Sequence, residues 1–187
     1  MPPKARITKE DIVKAALALI REGDGAMPTA RGIAAALACS TQPIFSNFSS
    51  MEELEEEVTR LAYETYLGFL DLEASGGRYP KYKAFGMAYI RFAKEEKGLF
   101  KLLFMCDREG KPLVRTPDFE TSVAIIMQAN GVDYQTAELM HLECWACVHG
   151  IATMLATSFL DLEGELISRM VSDVYQGIQK KHKEANG

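Results

Sequence analysis

Apolar residues recur at the spacing of an α-helix along almost the whole chain, and this pattern restricts the fold more than any other feature. Near the N-terminus, Ile12, Ala16 and Leu19 repeat three or four positions apart, so they line one face of a helix. No segment shows the sustained alternation of apolar and polar residues that a half-buried strand requires. The sequence therefore predicts an all-α fold.

Helix-capping residues divide the N-terminal fifty residues into three short helices. Thr8 is predicted to start the first helix with a capping box, and Gly23 ends it. Thr29 is predicted to cap a second helix that ends near Ala38, and Ser40 to cap a third, very short one. A short helix, a tight turn and a second short helix with polar residues at its start can place one helix in a DNA major groove, which is about 12 Å wide.

Longer helices are predicted for the rest of the chain. A fourth helix begins after Ser50 and reaches Leu72, and glycines and a proline make residues 73–82 a linker. Residues 107–117 are predicted to form a loop. The remaining predicted helices are 83–96, 98–105, a segment capped by Asp118 that ends near 129, 134–159, and a last helix introduced by Asp161 that ends near 181.

Charge is distributed unevenly along a chain whose net charge is −5. Residues 1–50 carry six basic and four acidic groups, so this segment is +2 and the remainder is −7. A phosphate backbone would therefore be attracted to the N-terminal segment alone.

Composition favours a cytoplasmic protein that does not enter a membrane. No uninterrupted apolar run approaches the roughly 20 residues that span a bilayer, and the N-terminus has no signal-peptide pattern. The four cysteines are expected to be reduced packing residues, since thiols stay reduced in the cytosol.

Residues 8–58 resemble the N-terminal domain of the TetR family of transcriptional regulators. The matching segments are Ile12-Val13-x-Ala15-Ala16, Thr29-x-Arg31-x-Ile33-Ala34, Ser40, Ile44-Phe45-x-Asn47-Phe48 and Glu52-x-Leu54. The resemblance implies a helix-turn-helix DNA-binding domain over residues 1–50 and a helical effector-binding and dimerisation domain over residues 51–187. It also implies a ligand-responsive regulator, typically a repressor that its effector releases from the operator.

The resemblance makes residues 40–47 the recognition helix. Thr41 and Gln42 are then candidates for base contacts, because Gln suits adenine and Thr offers a hydroxyl and a methyl group; alternatively, both simply face solvent. The candidates for phosphate contacts are Thr29, Arg31 and Ser40, although Arg31 could instead form a surface ion pair. The other residues assigned to this interface are Pro43, Phe45 and Asn47.

Three positions depart from the family pattern in ways that reduce contacts with phosphate. Phe45 stands where a hydroxyl-bearing aromatic is usual, Asn47 where a histidine is usual, and Met51 where a lysine is usual. Pro43 also lacks the N–H that a helix cap would bond. We expect fewer phosphate contacts than in typical relatives.

The C-terminal part resembles a TetR subgroup that carries a Trp-x-x-x-His-Gly sequence, here Trp145 to Gly150. Two readings of its aromatic and sulfur-rich residues remain open, a solid core or a pocket for an apolar or aromatic effector. The residues assigned to such a pocket are Phe85, Tyr89, Phe92, Phe104, Met105, Met127, Trp145 and His149.

Two other classes of function are weighed against an effector-responsive regulator. Cys144 and Cys147, with His141 and His149 nearby, suggest a metal-responsive or thiol-responsive regulator, but the four side chains are not expected to converge as zinc ligands must. The chain contains no phosphate-binding glycine loop, nucleophile elbow or helical zinc motif. We therefore expect no metal, no cofactor and no enzymatic activity.

The last two predicted helices, 134–159 and 163–181, are expected to form a twofold homodimer. Gly150, Ala152 and Ala156 permit close helix approach in the first of them. The last helix shows an apolar stripe of Ile167, Met170, Val171, Val174 and Ile178. The stripes could alternatively pack on the chain's own core. A dimer fits a near-palindromic duplex DNA operator, because two recognition helices about 34 Å apart read successive major-groove faces.

Overall fold

The computed structural model describes residues 7–107 and 116–185, and within these ranges the protein consists of nine helices without strands. The all-α prediction is thus confirmed. The helices are α1 (Lys9–Glu22), α2 (Ala30–Ala36), α3 (Gln42–Asn47), α4 (Met51–Ser75), α5 (Lys81–Glu95), α6 (Lys97–Phe104), α7 (Pro117–Asn130), α8 (Tyr134–Ala156) and α9 (Gly164–Ala185).

The helices group into two compact units. The first comprises the described parts of Met1–Tyr66 and Glu96–Cys106, and the second those of Leu67–Glu95 and Asp107–Gly187. The N-terminal part of α4 therefore belongs to the first unit and its C-terminal part to the second. Helix α6 lies in the first unit, although in sequence it follows α5 of the second.

Capping and burial explain how α1 and α2 form. Thr8 and Asp11 make the predicted capping box at the start of α1, whose apolar face buries Ile12 and Ile20 completely. The predicted cap of α2 is also confirmed, because the Thr29 hydroxyl accepts a hydrogen bond from the Gly32 N–H at 3.2 Å.

Three predicted helix starts were wrong. Helix α3 has Thr41 rather than Ser40 at its cap position. Helix α7 has Thr116 at its cap and Pro117 in its first turn, which is a favourable place for a residue without an N–H. Helix α9 begins at Gly164, three residues after Asp161. Most of the predicted 107–117 loop, residues 108–115, lies outside the described residues.

Two glycines allow α6 to pack directly against the end of α1. A Cβ atom added at Gly98 would lie 2.0 Å from the Ile20 carbonyl oxygen. A Cβ atom added at Gly25, whose φ is +82°, would lie 2.5 Å from the Lys101 Cβ. Ion pairs of Arg21 with Glu96 and of Lys101 with Asp24 flank this contact. The break between the two predicted helices lies at Glu96, and Gly98, at which the second of them was predicted to begin, lies inside α6 and serves close packing.

Helix α8 is the central helix of the second unit and packs against α5, α7 and α9. A core cluster of Phe119, Val123, Ile126, Ala137 and Met140 joins α7 to α8. By length and composition, α8 is also the one helix of the described residues that could cross a membrane. This is weak evidence, since buried core helices of soluble proteins share those properties, and Met140, Ile151 and Ala152 of α8 are almost completely buried.

We predict that Gly98→Ala destabilises the first unit by about 2 kcal/mol or more, since overpacking against backbone forces the helices apart. Gly68→Ala is the matched control. A Cβ at Gly68 in α4 meets nothing within 4 Å, so this change should stabilise by up to about 1 kcal/mol through helix propensity. Denaturant unfolding of both variants measures the difference, and equal stability would contradict the tight α1–α6 contact.

Candidate DNA-binding helices and effector-binding domain

The short helix α3 exposes one face that combines polar and aromatic side chains. Gln42 and Ser46 are exposed, and the Phe45 ring is 53% exposed, whereas Ile44 is completely buried in the first unit. Ser46, which was missed by the sequence analysis, lies one turn from Gln42 and bonds its carbonyl oxygen at 2.9 Å. Such a face presents a hydrogen-bonding amide and an apolar ring together.

Pro43 explains why the Thr41 hydroxyl makes no cap. A cap side chain normally accepts from the second or third N–H of its helix, and Pro43 supplies none in the first turn. Within the described residues the Thr41 hydroxyl has no side-chain cap bond, and Ile44 bonds the Thr41 backbone carbonyl instead. Ser40, just before it, is exposed.

Helix α2 exposes Arg31, while its cap Thr29 is also exposed. The Thr29 oxygen accepts from Gly32, so its own hydroxyl hydrogen can be donated elsewhere. Among the basic residues at positions 7–50, Lys9 and Arg21 form ion pairs. Lys14 and Arg31 have no salt bridge within the described residues, and Lys4 and Arg6 lie outside them. Among the described residues of this segment, Lys14 and Arg31 thus remain without an ion pair and can face phosphate.

The ion pair of Lys9 with Glu53 joins the starts of α1 and α4 at 3.0 Å. The Ser49 hydroxyl and backbone N–H, followed by the Lys9 ammonium, lower the pKa of Glu53 to about 2. A capping box at the start of α4 is present in part. The Glu53 N–H bonds the Ser50 hydroxyl at 3.3 Å, whereas the Glu53 carboxylate accepts from Ser49 rather than from Ser50.

Asn47 and Met51 stand at the positions where the family usually has a histidine and a lysine. The Asn47 side-chain N–H₂ donates to the Pro43 carbonyl oxygen at 2.8 Å and to the Ile7 carbonyl oxygen at 3.4 Å. Both Asn47 and Met51 are partly buried. The Asn47 amide therefore holds the end of α3 against the N-terminal segment.

In the second unit, two tyrosine–histidine pairs join α5 to α8. The Tyr82 hydroxyl lies 3.0 Å from His141 Nδ1, and the Tyr89 hydroxyl lies 2.9 Å from His149 Nδ1. The tyrosine with the higher number contacts the histidine with the higher number, so α5 and α8 run parallel. The two pairs lie about two helical turns apart. Both histidines therefore face α5.

Trp145 extends the second of these pairs toward the surface. Its ring stacks on His149 with centroids 5.0 Å apart and an interplanar angle of 24°, and Trp145 is 37% exposed. Burial lowers the pKa of His149 and raises that of Tyr89. The group therefore offers an aromatic surface backed by neutral polar atoms.

The other residues assigned to the effector pocket are dispersed. Phe92 is completely buried, with its ring edge-on to Phe69 at 5.4 Å. Met127 packs on the α7–α8 core cluster, and Phe85 is partly buried in α5. Phe104 and Met105 lie in the first unit, where Phe104 stacks edge-on against Tyr66. The structure brings Tyr89, Trp145 and His149 together and places Phe104 and Met105 in a different unit from them.

The pair of Tyr82 and His141 was missed by the sequence analysis as an element of the site. Phe119 of α7 stands edge-on to the His141 ring with centroids 4.7 Å apart. The available signal was the spacing, since two tyrosines seven positions apart and two histidines eight positions apart match two turns on facing helices.

The cysteines and histidines of α8 do not assemble into a metal-binding group. Within the described residues, no three His, Cys, Asp or Glu side chains are arranged to hold a metal ion. Burial raises the pKa of Cys144 to about 11 and also raises that of Cys147, which makes both thiols poor nucleophiles near neutral pH.

Comparison with known proteins decides the family. A family model described as the Tetracyclin repressor-like, C-terminal domain matches residues 82–174, which run from the start of α5 into α9. The chain belongs to the TetR family of transcriptional regulators. A search of curated proteins finds no match.

Membership of the TetR family gives the exposed helices and the second unit their general roles. The chain is a ligand-responsive transcriptional regulator with an N-terminal helix-turn-helix. The subgroup defined by Trp-x-x-x-His-Gly stays a prediction.

We predict that this TetR-family regulator loses stability as pH falls from 6.5 toward 4. Burial lowers the pKa of His141 from its usual 6.5 to about 4, so in this window the unfolded chain binds a proton that the folded chain does not. His141 should contribute a loss of about 1 kcal/mol for each pH unit. Unfolding curves at pH 7, 6 and 5 measure it.

The matched variant for this pH dependence is the double change Tyr82→Phe and His141→Phe, which removes both partners of the pair. It should show a shallower decline than the wild type between pH 6.5 and 5. Parallel curves for the two proteins would show that His141 is not protected from protonation by folding.

Proposed function

We propose that this protein is a homodimeric repressor that leaves a near-palindromic operator when a small apolar or aromatic molecule binds its second unit. The observation that carries the proposal is that α6 belongs to the first unit. This helix is packed on α1 in the unit that carries α3, and one residue, Glu96, separates it from α5. A displacement of α5 thus has a covalent route to the DNA-binding helices.

The proposed DNA contacts follow from exposure. Thr41 and Gln42 contact base edges, and Phe45 contacts a thymine methyl group, since an exposed apolar ring suits that group. Thr29, Arg31 and Ser40 contact phosphates and fix the register. Pro43 shapes the first turn of α3, and Asn47 holds its end. In this proposal residues 1–50 carry the DNA-binding function, and residues 51–187 carry effector binding and dimerisation.

The proposed effector site lies on the side of the second unit where α5 meets α8. Tyr89, Trp145 and His149 form its polar and aromatic wall. Phe92, one turn along α5 from Tyr89, is completely buried. An aromatic ligand can stack there and reach a hydrogen-bonding atom, as small-molecule sites generally require.

Exposure also selects the proposed dimer surface on α8 and α9. Leu139 of α8 is 48% exposed and Leu166 of α9 is 47% exposed. A Cβ added at Gly150 or Gly177 would meet nothing within 4 Å, so a helix of a second copy can approach both positions closely. These residues define the proposed dimer surface.

Most of the apolar residues first assigned to the dimer interface pack inside the chain instead. Ile167 and Val171 are buried against the chain's own helices, as are Ala152 and Ala156 of α8. Ile178 packs on the α7–α8 core cluster. The exposed residues Leu139 and Leu166 lie on other faces of α8 and α9 than these buried residues. The apolar repeat alone could not reveal which face is exposed.

The proposed mechanism is a shift between two conformations of the dimer. An effector that binds one conformation more tightly changes its population by no more than that difference in affinity. The conformations differ in the separation of the two recognition helices, through α4, which both units share, and through α6. We place the protein in the cytoplasm, where operator and effector meet.

Selection of bound duplexes from a genomic DNA library tests the repressor proposal, and we expect one near-palindromic site. On that site Arg31→Ala should make the slope of log K against log[salt] shallower by about 0.9 for each lost phosphate contact, so by about 2 for a dimer. Gln42→Ala should instead reduce discrimination at one base pair of each half-site by about 1–3 kcal/mol.

Arg169→Ala is the control for the salt slope, because Arg169 is an exposed arginine of α9 paired with Asp173. It should leave the slope unchanged. A library from which no duplex is enriched would remove the regulator proposal, and an unchanged slope for Arg31→Ala would remove Arg31 from the interface.

We predict that Leu139→Glu combined with Leu166→Glu yields a 20.8 kDa monomer that keeps its helical content but loses operator affinity. Buried charges oppose association, and a single recognition helix binds weakly. Sedimentation measures the mass. Leu72→Glu is the control, because Leu72 of α4 is 59% exposed outside the proposed surface. A dimer that survives both glutamates would place the interface elsewhere.

A further inference from the structure

His141 of α8 is buried, but one of its ring nitrogens has no partner among the residues that the structure describes. Its side chain is 8% exposed, and Nδ1 faces the Tyr82 hydroxyl at 3.0 Å. Within residues 7–107 and 116–185, no group hydrogen-bonds Nε2. A buried polar group without a partner costs about 1–3 kcal/mol, so a ligand that supplies the missing hydrogen bond at this nitrogen would be favoured.

The unpaired nitrogen is not sealed from small molecules. Among the described side chains, the completely enclosed polar atom that lacks a partner is the Thr153 hydroxyl oxygen. His141 Nε2 therefore keeps a small accessible surface. The rings around it are apolar, with Phe119 of α7 at 4.7 Å and Tyr82 of α5 at 5.9 Å between centroids, and Tyr175 of α9 behind Tyr82.

The hydrogen bond to Tyr82 decides whether Nε2 donates or accepts. A phenol O–H is a better donor than an imidazole N–H, and an imidazole nitrogen is a better acceptor than a thiol sulfur. The Tyr82 hydroxyl interacts with both His141 and the Cys144 thiol. Tyr82 thus donates to Nδ1, and the neutral ring carries its hydrogen on Nε2.

The charge around His141 selects the kind of acceptor that can reach it. Burial lowers the pKa of His141 to about 4, and the Asp118 carboxylate of α7 acts in the opposite direction. The ring is therefore neutral near pH 7. An anionic ligand would be repelled by Asp118 and would meet no cation on His141, so an uncharged oxygen is the acceptor that this position favours.

We propose that His141 Nε2–H donates a hydrogen bond to the effector, and that the effector is an uncharged molecule whose aromatic or aliphatic body carries a carbonyl or ether oxygen. This inference rests on the proposed effector-binding function of the second unit and names the chemistry of its ligand. It adds His141, Tyr82 and Phe119 to the proposed effector site. These residues lie about two helical turns from the pair of Tyr89 and His149.

Two probe ligands of nearly equal shape test the proposal. Acetophenone carries a carbonyl group where α-methylstyrene carries a carbon–carbon double bond. Titration of the full chain, followed by NMR of its ¹⁵N-labelled histidine rings, gives both dissociation constants. We expect acetophenone to bind about tenfold more tightly, since one hydrogen bond in an apolar site contributes about that factor, and to shift the His141 Nε2 resonance.

The double variant Tyr82→Phe and His141→Phe should bind the two probes equally. It removes both partners together, so no hydroxyl is left unpaired, and its circular dichroism and melting curve verify the fold. His182→Phe is the matched control, because His182 of α9 contacts Glu143 rather than Tyr82 or His141. This control should keep the tenfold preference.

Three results would overturn the inference. They are equal affinities of the wild type for both probes, a tenfold preference that persists in the double variant, and binding of neither probe at low millimolar concentration. If both probes bind the wild type equally, the second unit still binds small molecules, and the effector-binding function stands without His141 as the anchor. Enrichment of an operator duplex is measured separately and does not depend on these titrations.

Discussion

The close contact of α6 with α1 is the constraint on which the first unit depends. At Gly98 the two helices approach so closely that any side chain would overlap the Ile20 carbonyl. Packing at this distance leaves little room for adjustment, because protein interiors have few voids and low compressibility. A segment from the middle of the chain is thereby made part of the unit that carries the helix-turn-helix.

The second unit is organised by a different kind of contact. Along the parallel helices α5 and α8, each tyrosine hydroxyl meets a histidine nitrogen, once at Tyr82 with His141 and again at Tyr89 with His149. These neutral pairs satisfy one nitrogen of each ring. Within the described parts of the chain, the other nitrogen of His141 has no hydrogen-bond partner. The His149 ring stacks with Trp145, which is partly exposed. A core that needed packing alone would have no use for such polar pairs.

The sequence predicted most of the architecture because caps and the helical period act locally. Thr8 and Thr29 cap their helices as expected, and the 3.6-residue repeat identified every helix of the described residues. Helix starts near prolines were misplaced. Pro43 lacks an N–H that the expected cap Ser40 would bond, and Pro117 takes the first helical position, one residue before the expected cap Asp118.

The predictions about long-range contacts were less accurate, for a physical reason. A repeat shows that a helix has an apolar face, but not whether that face meets the chain itself or another copy, so Ile167 and Val171 were assigned to the wrong partner. Likewise, Phe104 and Met105 are aromatic and sulfur-rich residues like those of α8, yet they lie in the other unit. Glycines such as Gly98 give no sign in sequence of the backbone that approaches them.

The claim that two copies of α3 read DNA together is tested most directly by hydroxyl-radical footprinting of the full chain on its selected operator. The account predicts two protected segments of similar sequence on opposite strands, with centres about 10 base pairs, one helical turn, or a multiple of that distance apart. It also predicts that protection disappears from both segments together when Leu139 and Leu166 are changed to glutamate. A single protected segment, or protection that the glutamate variant retains, would contradict it.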